Sequence, residues 1–299
     1  MSTPPPPSTL AIWLSAARPR TLGAAFAPVF VGAAIAYSDG VLDVLVVLAA
    51  LAGAIAIQIG TNFANDYFDF LKGADTEERV GPTRATAAGW VTPDQMKWAT
   101  ALAFAALVPP AAYLFYAAGW PMLVIGILGV ICGVAYTGGP RPLAYVGLGD
   151  IFVLVFFGPV AVAGTYYAQA LTLTTVAVVA GLMPGLIATA LLAVNNLRDV
   201  ETDTVAGKRT LAVRFGPGFA RGEIAVCLLV PILVIPPVLI ALTGGHYGAL
   251  VSLLAIIPSI SVLRRTWSVT GAALIPVLED IGKTLVIHSF LFGLGWALS

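Results

Sequence analysis

The chain has 299 residues, 59% of them hydrophobic and only 10% charged, with a mean hydropathy of +0.94. A soluble domain carries about 25% charged residues, so this composition excludes a soluble globule and specifies a polytopic membrane protein. A formal net charge of zero leaves no basic surface for nucleic acid.

Met1 to Ser8 holds four consecutive prolines and no positively charged leader. Residues 1–9 are therefore expected to form a disordered tail, and 10–299 a single transmembrane domain. Leu10 to Ala17 carries Trp13 on an apolar face and runs into Arg18-Pro19-Arg20, the pattern of a short interfacial helix. Apolar runs then follow near residues 21–37, 44–64, 98–118, 122–136, 151–170, 176–194, 224–242, 249–262 and 285–298. A span needs about 20 residues, and the shorter runs borrow from their flanks. The expectation is an all-α bundle of nine transmembrane helices. Cys132 and Cys227 lie inside apolar runs and read as packing residues.

With nine spans, all 15 Lys and Arg residues fall in one set of connections, and the turns around Asp39, Gly119, Leu171 and His246 hold none. The positive-inside rule then places the N-terminus and the polar loops at 65–97, 137–150 and 195–223 in the cytoplasm, with the C-terminus outside. Chemistry is expected on that inner face. No charge lies mid-run, which counts against a transporter of an anionic amphiphile.

Two of these loops begin with acidic stripes. Asn62, Asn65, Asp66 and Asp69 fall three or four residues apart and share one helical face, with Asp75 following past Gly73, where the helix can break. Asn195, Asp199 and Asp203 form a second stripe, spaced so that Asn195 and Asp199 each lie 130 residues after Asn65 and Asp69. Carboxylates so close repel one another and are costly to desolvate, so a cation should meet them. Mg²⁺ takes carboxylate and amide oxygens and usually binds through phosphates as well. Either stripe alone could be a solvated helix end. As a matched pair on one side of the membrane they read as halves of one site, able to clamp a diphosphate between metals.

Arg79 and Arg84 after the first stripe, and Lys208 and Arg209 after the second, can complete a phosphate cradle. Such a site at the mouth of an apolar bundle suits a charged head with a greasy tail, as in a polyprenyl diphosphate. Loss of the diphosphate leaves an allylic cation that aromatic faces stabilise in a dry bundle. Candidate rings are Tyr67, Tyr136, Phe156, Phe157, Tyr166 and Tyr167, with Tyr136 best placed beside Gly138-Gly-Pro-Arg141. His288 lies in an apolar run and is given no role.

Asn65-Asp66-Tyr-x-Asp69 with Lys72-Gly-x-Asp75 and Arg79-x-Gly-Pro resembles the first acidic motif of the UbiA superfamily of intramembrane aromatic prenyltransferases. Asn195-Asn-x-Arg-Asp199-x-x-x-Asp203 with Lys208-x-Thr210-Leu-x-x-Arg214 is similar to the second. Ala17-Arg-Pro-Arg-Thr-Leu22, Tyr136-Thr-Gly-Gly-Pro, Gly147-Leu-Gly-Asp150, Phe156-Phe-Gly-Pro and Gly164-Thr-Tyr-Tyr-x-Gln169 resemble the branch acting on 1,4-dihydroxy-2-naphthoate in bacterial menaquinone synthesis. The resemblance spans residues 10–220 and continues beyond them in hydropathy alone.

The resemblance implies a bundle of nine transmembrane helices in a bacterial cell membrane, with Mg²⁺ bridging polyprenyl diphosphate to both motifs. It implies that Asn65, Asp69 and Asp75 hold one Mg²⁺, and Asn195, Asp199 and Asp203 another. Asp66 would be a ligand or a base near the acceptor, and Asp69, Asp199 and Tyr136 catalytic groups. Arg79, Arg84, Arg141 and Lys208 would contact diphosphate; many members carry a lysine where this chain offers Arg141, which could not serve as a base. The reaction implied joins the prenyl chain to the naphthoate ring with loss of CO₂. An acceptor such as 4-hydroxybenzoate is the alternative.

Overall fold

The computed structural model describes residues 7–73, 81 and 83–299, and among these every regular element is helical. Most of the expected tail lies outside the described residues. Its end is already structured, because Ser8 caps α1 (Thr9–Ala17) by accepting the Ala11 N–H at 3.3 Å.

After α2 (Gly23–Ser38) comes α3 (Val44–Leu71), started by Asp43, whose carboxylate accepts the N–H groups of Leu45 and Val46 at 2.8 and 3.3 Å. It runs unbroken for 28 residues and stops before Gly73, at φ 64°. At 1.5 Å per residue that is about 42 Å, against a hydrocarbon core of about 30 Å. Its last turns, which bear the first acidic stripe, therefore project beyond the apolar layer.

Helix α4 (Pro93–Ala105) opens on a reciprocal capping box between Thr92 and Gln95 and continues into α5 (Val108–Ala118). Next come α6 (Trp120–Ala135), α7 (Gly149–Val155), a wide turn over Phe156–Val160, and α8 (Ala161–Ala170). Then follow α9 (Thr175–Arg198) and the short α10 (Val200–Val205). Helix α11 (Leu211–Leu233) is bent at Gly216 and leads to α12 (Ile235–Thr243). The chain ends with a 3₁₀ stretch over Tyr247–Ala255, α13 (Ile256–Ser268) and α14 (Ile275–Ala297).

All nine apolar runs fall on helices. Among the described residues, six units are long and apolar enough to cross a membrane: Val44–Leu71, Pro93–Ala118, Gly149–Ala170, Thr175–Arg198, Leu211–Thr243 and Tyr247–Ser268. Joining Thr9–Thr21 to Gly23–Ser38, across a 46° bend, makes a seventh. Trp120–Ala135 is apolar but short. Ile275–Ala297 carries Glu279, Asp280 and Lys283 in its first half. The fold is thus that of a polytopic helical membrane protein, with six or seven candidate spans among the described residues.

Helix α9 is the most buried span. Its Ile187, Ala190, Val194 and Leu197 pack with Ile224 and Leu228 of α11 and Ile281 and Leu285 of α14. On its other side it nearly touches the Phe156–Val160 turn. A Cβ on Gly181 would stand 2.6 Å from the Pro159 Cα, and one on Gly185 2.8 Å from the Gly158 Cα. Only glycine permits that approach, and the tight packing fixes the helix that delivers the second acidic stripe. At the end remote from both stripes, the Tyr166 hydroxyl donates to Asp39 at 2.6 Å, and Gln169 exchanges hydrogen bonds with the Asp43 backbone.

Candidate active site

Because α3 outruns the apolar layer, its last turns meet three loops: 83–91, 136–148 and 199–210. Asn65 accepts the Thr137 hydroxyl at 2.8 Å. Asp66, 1% exposed, accepts the backbone N–H of Ala85 on one oxygen at 3.0 Å and of Thr86 on the other at 3.1 Å. Asp69 is 2% exposed and takes Arg84 Nη2 on Oδ2 at 3.0 Å. Its Oδ1 accepts the Tyr145 hydroxyl at 3.3 Å and lies 4.0 Å from Lys208 Nζ. Asn62 turns to scaffolding, donating to the Ala17 carbonyl and the Thr21 hydroxyl.

The second stripe departs from the expected continuous helical ridge. Helix α9 stops at Arg198, Asp199 takes φ −97° and ψ 11°, and α10 begins beyond it. Asp203 still bonds back one turn, its N–H to the Asp199 carbonyl at 2.7 Å. Burial pushes the Asp203 carboxyl up to about 6, against the downward pull of Lys208, whose Nζ lies 3.7 Å from Oδ1. Asp199 is held by its neighbour: Arg198 Nε donates to Oδ1 at 2.7 Å and Nη2 to Oδ2 at 2.6 Å.

Lys208 therefore touches both stripes, reaching Asp69 of the first and Asp203 of the second. The two stripes, 130 residues apart, meet over one cavity of about 800 Å³. Asn65, Asp66, Asp69, Asn195, Asp199 and Asp203 all line it, as do Arg84, Lys208 and Tyr136. Below this charged roof the walls are apolar, with Gly53, Ile57, Gly129 and Gly133 on one side.

The aromatic expectations divide. Phe156 and Phe157 line the cavity together with Tyr136. Tyr67, Tyr166 and Tyr167 do not; Tyr67 packs on Phe68, and the Tyr166 hydroxyl is engaged by Asp39 at the far end. Arg141 is exposed and off the cavity wall, as is Arg209, whose backbone N–H donates to the Tyr145 carbonyl at 3.0 Å. Asp75 and Arg79 lie outside the described residues.

Three contributors escape a reading of the sequence as acidic stripes with following cations. Arg198 looks like one more inner-face charge, yet it is buried on the cavity wall. Lys72 donates to the Thr137 carbonyl and, at 3.3 Å, to that of Gly139. Its ammonium stands 4.9 Å from the Tyr145 ring centre, with that of Lys208 at 5.1 Å. Burial lowers the Lys72 pKa. Tyr145 thus joins both lysines to Asp69, and nothing in the surrounding Pro-Leu-Ala-Tyr stretch signals it.

Among the described residues, no group of three Asp, Glu, His or Cys side chains could hold a metal ion. The donors present are hard oxygens, the carboxylates of Asp69, Asp199 and Asp203 and the amides of Asn65 and Asn195. Mg²⁺ keeps several waters and is typically held by one or two carboxylates plus phosphate oxygens. A sparse set of oxygens beside Arg and Lys therefore fits a divalent cation bound together with a phosphate ester.

Fold and site together define a polytopic helical membrane protein whose cavity joins an acidic and cationic roof to apolar walls. The chain belongs to the UbiA prenyltransferase family, whose model matches residues 25–278. It is 41% identical over 298 residues to the 1,4-dihydroxy-2-naphthoate octaprenyltransferase of Escherichia coli (strain K12), covering 96% of this chain and 95% of that one. The enzyme of the same description from Mycobacterium tuberculosis (strain ATCC 25618 / H37Rv) is 37% identical, with 98% and 96% covered. In fold, the chain is similar to a UbiA homologue from Archaeoglobus fulgidus bound to GPP and Mg²⁺. The TM-score is 0.63 at 16% identity, over 94% of this chain and 99% of that one.

Proposed function

We propose that this chain transfers a polyprenyl group from polyprenyl diphosphate to 1,4-dihydroxy-2-naphthoate, with loss of the acceptor carboxylate as CO₂, giving demethylmenaquinone. The observation that carries the reading is Lys208, which touches both acidic stripes at the roof of one apolar cavity. The likeness to naphthoate octaprenyltransferases over nearly the whole chain supports the acceptor.

In this reading Asn65 and Asp69, with Asp75, hold one Mg²⁺, while Asn195, Asp199 and Asp203 hold the other. When bound, Mg²⁺ neutralises the diphosphate and stabilises it as a leaving group. Arg84 and Lys208, with Arg79, bind the diphosphate oxygens. Tyr136, Phe156 and Phe157 present ring faces to the allylic cation left when the C–O bond breaks and its electron pair departs with the diphosphate. The apolar walls exclude water, so the ring carbon of the acceptor captures the cation. Asp66 positions the 83–91 loop through its two backbone amides, and Arg141 acts as a peripheral charge. Nine spans in a bacterial cell membrane, with the site and N-terminus on the cytoplasmic side, complete the proposal. The concentration of Lys and Arg in the site-side connections supports that orientation.

The test is turnover by purified protein in detergent with dihydroxynaphthoate, a polyprenyl diphosphate and Mg²⁺. Prenylated product with CO₂ release, both abolished by EDTA, is expected. Product from 4-hydroxybenzoate alone would replace the acceptor while keeping the site. No product from any phenolic acceptor would overturn the reading.

A further inference from the structure

Asp69 and Asp199 occupy corresponding places in the two stripes, but their counter-ions are built differently. The partners of Asp69 come from three separate segments, Arg84, Tyr145 and Lys208, so losing one leaves the others in place. Among the described residues, Asp199 is gripped by a single residue, its own sequence neighbour, which takes both oxygens in a fork at 2.7 and 2.6 Å. Both members of that pair are buried and line the cavity. The fork sits at the break between α9 and α10, where Asp199 has left helical geometry. The fork is made of side-chain atoms alone, so opening it breaks no backbone hydrogen bond.

Resting on the diphosphate-and-metal reading of the site, we propose that Arg198 is an exchangeable counter-ion of Asp199. Its guanidinium holds the carboxylate until a divalent cation takes it, then turns to the diphosphate that binds with that cation. A guanidinium and a dication on one buried carboxylate repel each other strongly, so the two compete for it. Stripping Arg198 from Asp199 with no replacement would strand a buried charge, which proteins tolerate poorly. Diphosphate oxygens supply the replacement, since a guanidinium binds them through the same two-pronged geometry. Cation and diphosphate then bind as a linked pair: each makes room for the other, and neither binds well alone. No bond is made or broken in this step; one ion pair is exchanged for two.

The probe is Mn²⁺ binding followed by electron paramagnetic resonance on the purified full-length chain, with and without a prenyl thiodiphosphate that does not turn over. For the wild type, the analogue is expected to tighten Mn²⁺ binding by about 30-fold or more, within the usual span of linkage between sites. Arg198→Met should bind Mn²⁺ alone about fivefold more tightly than wild type, with the enhancement by the analogue falling below about threefold. Arg198→Lys keeps the charge but cannot grip both oxygens, so it should fall between the two, and it carries the test if the methionine variant does not fold. Unchanged Mn²⁺ affinity and unchanged enhancement in the variants would overturn the exchange and make Arg198 a fixed structural partner. A wild type that binds Mn²⁺ under neither condition would overturn the metal reading of the site, and the exchange with it.

Discussion

The two acidic stripes look alike in sequence and differ in construction. The first rides on an unbroken helix, and its carboxylates are already employed in holding the site end of the bundle together: Asp66 on two loop amides, Asp69 on three side chains from elsewhere in the chain. The second lies across a helix break, and among the described residues its central carboxylate takes side-chain hydrogen bonds from the adjacent arginine alone. A site that must bind, react and release needs one side that keeps its shape and one that can give way. The first stripe is built as the fixed side and the second as the yielding one.

The largest effects come from the central carboxylates. Asp69→Asn and Asp199→Asn are each expected to lower kcat on the order of a thousandfold, the scale of losing a preorganised electrostatic contact; near-normal turnover in either would remove that stripe from the site. Asp66→Ala tests whether the first stripe is the fixed side. Losing a buried carboxylate from two backbone amides should cost about 3 kcal/mol of stability, read as lower resistance to thermal unfolding in detergent. A fully stable but inactive Asp66→Ala protein would instead return Asp66 to the chemistry. Tyr145→Phe removes the hydroxyl on Asp69 and keeps the ring beneath the two lysines, so about a tenfold loss in kcat/KM is expected, worth one hydrogen bond to a charged group. Arg141→Ala, on the surface away from the cavity, should change turnover by less than about twofold.

Much of this was readable from the sequence. The apolar runs each became helix because their length leaves no other way to satisfy the backbone in lipid, and the two stripes read from spacing, Asn65, Asp66 and Asp69 with Asn195, Asp199 and Asp203, line one cavity. Helix geometry is local, so the face shared by Asn65 and Asp69 followed from spacing alone. Long-range pairing is not local. That Lys72 would bond the Thr137 and Gly139 carbonyls, or that Tyr145 would sit between two lysines, depends on how the 136–148 loop folds over the helix ends. The same distance effect misled the aromatic reading. Tyr166 directly follows the cavity-lining Gly164 and Thr165, but its hydroxyl bonds Asp39, so adjacency in sequence did not mean adjacency to the cavity. The break at Asp199 was also hidden, since the i, i+4, i+8 spacing fits a straight helix equally well.

The central claim is that both stripes form one site, and a double-mutant cycle on kcat/KM tests it most directly. If Asp69 and Asp199 serve a single bound diphosphate, Asp69→Asn combined with Asp199→Asn should lose little more, within about tenfold, than the worse single variant, because removing either one disables the shared unit. Losses that multiply in full would show two independent contributions and contradict the account.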